Sequence, residues 1–250
     1  MRTARCFCPF VGEADDPDEL VRIMTAHFAE AHPEAGIGEV AVRNYVEAQD
    51  RLHPAGDRVP AIGAVEVHQV TPDRIDDWLA FFDHDAFAGK PEWAACYCLF
   101  PHRWDPTDPS SWGNTPWEEN RAEMIERLRR GDTTGYLAYV DGRPVGWVNA
   151  SPVSTYPAFR REGAERVAGV ACFVIAPAYR RHGVARRLLD AAIEGAARDG
   201  FEAIEGRPRK GASDEADNFP GPIELYLAAG FEAVEQTDAW TLMRKPTISG

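Results

Sequence analysis

Apolar positions recur at helical spacing in several stretches of the chain and alternate like strands in others. In ELVRIMTAHFAEAH, Leu20, Ile23, Met24, His27, Phe28 and Ala31 share one helical face. Asp16 or Asp18 is placed to cap that helix, and Pro33 bars its continuation. Residues 39–49 predict a second, short helix, and the Pro- and Gly-rich RLHPAGDRVPAIG reads as a linker. Beyond it VEVHQV alternates as a strand, and IDDWLAFFDHDAF carries an apolar helical face behind a Thr71-Pro72 cap. PWEENRAEMIERLRRGD predicts a helix bounded by Pro116 and Gly131, and GYLAYVDGRPVGWVNAS a hairpin turning at Asp141-Gly142. Residues 166–176 predict a buried strand and 183–199 a helix. FEAIEG follows as a strand, then a short helix over 222–229, and FEAVEQ and AWTLMRK as closing strands. The order from residue 64 is β-α-α-β-β-β-α-β-α-β-β, with no internal repeat. The expectation is an α/β (α+β) domain over 64–250, a mixed central sheet flanked by helices, behind a small N-terminal helical domain with linker over 1–58.

Charge narrows the partners. Net charge is −13, spread along both parts of the chain, which disfavours a nucleic-acid backbone. No apolar run approaches the ~18–20 residues needed to span a bilayer. The N-terminus lacks an apolar core of signal-peptide length, so the expected compartment is the cytoplasm. Five cysteines, four of them in the tight pairs Cys6/Cys8 and Cys96/Cys98, suit reduced thiols or a metal better than disulfides.

One segment carries a specific chemistry. The strand VACFVI ends at Ala176-Pro177, and Arg180-Arg181-His182-Gly183-Val184-Ala185 then opens a helix. Amide groups at a helix start have no intrahelical partner, and the macrodipole adds positive charge. Gly183 admits close approach of a ligand, Ala185 keeps the next turn open, and Arg180, Arg181, Arg186 and Arg187 supply cations. A diphosphate is the natural guest.

In these residues the chain resembles the GNAT N-acetyltransferase superfamily, whose phosphate-loop pattern Arg/Gln-x-x-Gly-x-Gly/Ala is matched by Arg180, Gly183 and Ala185. Leu225 to Phe231 is similar to the family's Tyr-x-x-x-Gly-Phe segment, and residues 135–149 to its paired strands. The resemblance covers residues 64–245 and implies the GNAT fold and acetyl-CoA as cosubstrate. It implies that backbone of Phe173, Val174 and Ile175 pairs with the pantetheine arm, and that Arg180, Arg181, His182, Gly183, Val184, Ala185 and Arg186, with Asn218, hold the cofactor. It makes Tyr226 the acid that protonates the departing thiolate, and an N–H near Val174 the oxyanion donor. Two departures stand out. Phe219 occupies the position where the family commonly has Asn, and Cys172 stands where a carboxylate base often sits. Glu205 on the next strand is the base candidate.

The fold places Trp93, Tyr97, Trp104 and Trp112 near the acceptor. Among Asp83, Asp85, Asp105 and Asp108 they suit a cationic or aromatic amine, and they equally suit a structural role in a Pro-rich loop. The expected activity is acetyl-CoA-dependent transfer to a small amine, an antibiotic or metabolite. A non-catalytic acyl-CoA sensor and a protein lysine or N-terminal acetyltransferase are the alternatives. In the N-terminal domain Cys6, Cys8, His27 and His32 have the ligand types and number of a tetrahedral zinc site and resemble small metal-binding domains. Two idle thiols and two packed histidines are the competing reading. Exposed hairpin edges are compatible with a homodimer.

Overall fold

The computed structural model describes residues 1–108, 115–212 and 218–247. The first fifty residues gather round their own small core. A hairpin of β1 (Arg2–Arg5) and β2 (Val11–Ala14) packs on α1 (Pro17–Ala31), and α2 (Glu39–Arg51) lies against α1. Ala4, Leu20, Val21, Met24, Phe28, Val42 and Val46 are the buried residues they share. Asp16 caps α1 by accepting the Asp18 N–H at 2.8 Å. The periodicity predicted both helices and not the hairpin, because RTAR and VGEA are too short and too polar to show an alternation.

The rest of the chain builds a seven-stranded mixed sheet. Its strands are β3 (Val65–Gln69), β4 (Gly135–Val140), β5 (Arg143–Pro152), β6 (Val167–Ile175), β7 (Ala203–Gly206), β8 (Glu232–Gln236) and β9 (Thr241–Pro246). They lie in the order β3-β4-β5-β6-β7-β9-β8, and β6–β7 is the parallel pair. The β6–β7 crossover is α6 (Val184–Arg198), whose Val184, Leu188, Leu189 and Ala192 pack on one face with α7 (Ile223–Ala228). On the other face lie α3 (Ile75–His84), α5 (Trp117–Arg130) and the segment between them, which includes the short α4 (Phe100–Arg103). Trp78, Phe81, Phe82, Tyr97 and Trp147 fill that side, each worth about 2–3 kcal/mol in burial. The predicted element order holds, with α4 as an added turn. Thr71 bonds Asp73 instead of capping the backbone.

Two irregularities open the sheet at its centre. Asn149 pairs with Cys172 and Ala150 with Val170, so Ala171 is an extra residue on β6. Before this bulge Ala168 and Val170 face α6; after it Cys172 and Val174 face the opposite core, because the bulge inverts the alternation. Meanwhile β7 pairs with β6 only over Val167–Val170. Beyond Val170 the two strands part, and the last residues of β6 border a gap.

Candidate active site

That gap is the inner end of a cleft of about 820 Å³. Phe173, Val174 and Ile175 line one side, with Cys96, Cys98 and Cys172 among its neighbours, and Leu225 and Pro222 line the α7 side. At one end stands the start of α6. Gly183 is its N-cap with φ 77°, Arg181 also has positive φ (64°), and no side chain caps the helix. The left-handed turns leave the first helical amides aimed outward, a ready anion site. Glycine takes this conformation freely, and nothing crowds its missing Cβ.

Electrostatics favour the same guest. In a chain of net charge −13, the described lining residues include Lys90, Arg180, Arg181, Arg186 and Arg209 against one carboxylate, Glu92. Arg186 bonds Asp190 (2.8 Å) and the Ala228 carbonyl (2.7 Å), and Arg180 donates to the Ile175 carbonyl (3.1 Å). The loop is therefore braced. His182 belongs to that bracing and not to the lining: its Nε2 meets the Val59 carbonyl at 2.8 Å, and Val59 N–H donates to Ala178.

Of the predicted cofactor residues, Phe173, Val174, Ile175, Arg180, Arg181, Gly183, Val184, Ala185, Arg186 and Asn218 line the cleft. The edge of β6 is not bare, however. The Phe173 N–H donates to the Phe219 carbonyl at 2.6 Å, so the 218–221 turn occupies part of the edge expected for pantetheine.

The two proton-transfer candidates are not part of the cleft wall. Tyr226 is fully buried against Gly206 and Phe231, and its hydroxyl donates to the Pro220 carbonyl at 2.6 Å. Burial pushes its phenol far up, and it is absent from the cleft wall. Glu205, 2% exposed, accepts a forked pair from Arg161 (2.6 and 2.7 Å) with Arg244 nearby, and it too is absent from the wall. Tyr226 packs from α7 onto Gly206 of β7, and Glu205 ties β7 to Arg161. Two of the three cleft thiols are poor nucleophiles: the Cys172 thiol is held up by its contact with Cys98 and by burial, and burial pushes Cys96 up to about 12.

The aromatic acceptor candidates divide in the same way. Trp93 lines the cleft and meets the Phe219 ring edge-on at 6.3 Å. Tyr97 is a core residue, donating to Asp83 (2.7 Å) and accepting from Arg51 (2.8 Å). Trp104 stacks on Phe100 outside the lining, and Trp112 falls outside the described residues. None of Asp83, Asp85, Asp105 and Asp108 lines the cleft; Asp83 is paired with Arg121 and Asp85 with Arg143. The sequence reading missed Lys90, Glu92, Arg209 and, from α2, Ala41 and Asn44. The basic run Arg207-Pro-Arg-Lys held a signal for Arg209; for the α2 residues no local signal exists, since only tertiary docking brings them there.

In the N-terminal unit one ligand atom each from Cys6, Cys8, His27 and His32 lies within 4.8 Å of all the others. Such a cluster can hold a metal ion. Cys8 Sγ is 3.4 Å from His27 Nε2.

Among solved structures, a GCN5-related N-acetyltransferase from Kribbella flavida is 20% identical over 73% of this chain and 98% of its own, with a TM-score of 0.47. A ribosomal-protein-alanine N-acetyltransferase from Brucella melitensis is 18% identical (72% and 99% covered, TM-score 0.45). The PaiA N-acetyltransferase from Thermoplasma acidophilum in complex with coenzyme A is 11% identical (74% and 99%, TM-score 0.45). No curated protein matches the chain. The model of the acetyltransferase (GNAT) family matches residues 94–219, which is half of the chain and includes β4 to β7 with the phosphate loop and α6. The chain belongs to the GNAT family of acetyltransferases.

Proposed function

We propose that the protein transfers the acetyl group of acetyl-CoA directly to a small amine. The observation that carries this reading is an uncapped helix start flanked by Arg180, Arg181 and Arg186, on a largely apolar cleft whose described lining holds five cations against one carboxylate in an acidic protein. The α6 amides with Arg180, Arg181 and Arg186 hold the pyrophosphate, and Lys90 and Arg209 add to the anion-attracting field. The apolar walls from Phe173 to Ile175 and from Leu225 take the pantetheine arm. Acetyl-CoA supplies an activated thioester; the chain supplies orientation and exclusion of water. Glu92, the one carboxylate among the described lining residues, takes the proton from the incoming ammonium in place of Glu205; the neutral amine bonds the acetyl carbon as the C–S bond breaks, and coenzyme A leaves as its thiolate and takes a proton from solvent.

A small acceptor is favoured because residues from α2 and the segment before α5 also line the cleft and narrow the room for an extended peptide. The free cysteines support a cytoplasmic setting, and the exposed edge strand β8 suits pairing into a homodimer. In the N-terminal unit two thiols and two imidazoles fit zinc, the ion that takes S₂N₂ donors tetrahedrally.

Calorimetry with acetyl-CoA tests the donor site. Gly183→Asp places a Cβ at a left-handed φ and a carboxylate beside the phosphates, so affinity falls at least about tenfold, with Arg180→Ala weaker in the same direction. Unchanged affinity in both variants rejects the reading. A panel of amines scored by coenzyme A release separates enzyme from sensor: release with none of them favours a non-catalytic acyl-CoA sensor.

A further inference from the structure

The N-terminal unit has only seven buried residues in its own core, so a staple would add to its stability. The Cys6, Cys8, His27, His32 cluster lies where a staple acts. Cys6 and Cys8 sit between β1 and β2, and His27 and His32 lie on α1 and just beyond its end. Several features mark the cluster as a receptor for an ion. His32 Nε2 is buried with no hydrogen-bond partner. Phe10 stacks on His27 at 4.0 Å and Phe7 packs on His32 at 4.3 Å, covering both rings. The Phe10 N–H reaches Cys8 Sγ at 3.5 Å, a contact that favours thiolate. Bond lengths of about 2.0–2.3 Å put tetrahedral ligand atoms roughly 3.3–3.8 Å apart, so closure from the present spread is a small contraction.

The other link is α2. Its Val42 and Val46 belong to the N-terminal core, packed with α1. Another face of α2 reaches the cleft and the start of α5. Asn44 donates to the Thr115 carbonyl (2.9 Å) and accepts the Trp117 N–H (3.0 Å), and Glu47 accepts Trp117 Nε1–H at 2.8 Å. The Arg51 guanidinium stacks on Trp117 at 3.9 Å and donates to the Tyr97 hydroxyl. Ala41 and Asn44 themselves line the cleft.

We infer that an ion held by Cys6, Cys8, His27 and His32 fixes α2, and through Asn44, Glu47 and Arg51 fixes the acceptor-side wall of the cleft. The N-terminal unit is then a metal-fastened part of the acetyltransferase site. This rests on the zinc reading, and the experiment separates the two. Reduced full-length protein is stripped with chelator and titrated with Co²⁺. A stoichiometric thiolate-to-cobalt charge-transfer band with tetrahedral ligand-field bands, lost in Cys8→Ser, supports the metal site; no band at one equivalent overturns both. Hydrogen exchange then compares the zinc-loaded and stripped full chains. The inference expects faster exchange on stripping in residues 39–51 and 115–120 as well as 1–32, with the middle of α6 unchanged. Faster exchange confined to residues 1–32 overturns the coupling and leaves the metal site standing. Asn44→Ala with Glu47→Gln, outside the metal cluster, keeps the cobalt band and loosens 115–120 even with zinc bound. If 115–120 stays as protected as in the parent, the route through α2 is wrong.

Discussion

The Phe173 N–H donates to the Phe219 carbonyl at 2.6 Å across the gap where β6 leaves β7. In the proposed donor site the pantetheine arm takes this edge amide, so acetyl-CoA binding exchanges the bond for a ligand bond. A net hydrogen bond is worth about 1 kcal/mol, small enough for a ligand to replace. Acetyl-CoA should therefore move the 218–222 turn. Limited proteolysis or exchange over 218–222 should change on adding acetyl-CoA, whereas the middle of α6 should not. An unaltered turn at saturating ligand would mean that the arm binds elsewhere.

Tyr226 is packed and hydrogen-bonded as a structural residue would be. Its ring fills the space left by Gly206, where an added Cβ would lie 2.3 Å from the ring, and its hydroxyl satisfies the Pro220 carbonyl. Tyr226→Phe leaves that carbonyl unpaired, at a cost of about 1–3 kcal/mol in stability. Turnover at a temperature where both proteins are folded should change less than about threefold. A loss of about a hundredfold or more in kcat with unchanged melting would restore it as the acid.

Glu205 is the anchor of a buried ion pair whose partner Arg161 is about one-third exposed. Glu205→Gln keeps the shape but strands part of the Arg161 charge, so destabilisation of about 1–3 kcal/mol is expected, below the 3–5 kcal/mol of a fully buried break. Denaturant melts would register it as a lower midpoint. Acetyl-CoA affinity should stay the same, since neither residue lines the cleft.

His102 gives stability a pH dependence. It is buried, and its Nε2 lies within hydrogen-bond reach of Asn149 (2.9 Å) and Thr133 (3.2 Å). Burial, the largest cause, lowers it from 6.5 to about 4. The unfolded chain therefore binds a proton that the folded chain refuses between these values. This contribution is complete above pH 6.5 and is lost as pH falls from 6.5 towards 4, amounting to about 3 kcal/mol at the lower end. In His102→Gln the fall in melting temperature over that range should be shallower than in the parent; an identical slope would show that other groups govern it.

Much of this protein follows from local pattern. Helical periodicity around Leu20 and Leu188, strand alternation in VEVHQV and the turn at Asp141-Gly142 fixed most elements and their order. Arg180, Gly183 and Ala185 marked the loop and helix start that line the cleft because these are consecutive backbone, so spacing alone encodes them. The β1–β2 hairpin was hidden by its brevity and polarity. Tertiary structure decided which side chains meet. The extra residue Ala171 inverts the alternation of β6 and turns Cys172 into the cleft core, a change that alternation read in sequence cannot register. Tyr226 and Glu205 had the right neighbours in sequence, yet burial bound one to Pro220 and the other to Arg161. Asn44 reached the cleft, and Cys6 and Cys8 reached His27 and His32, through contacts spanning 19 residues or more, because packing of the small N-terminal core carries α1 and α2 into place.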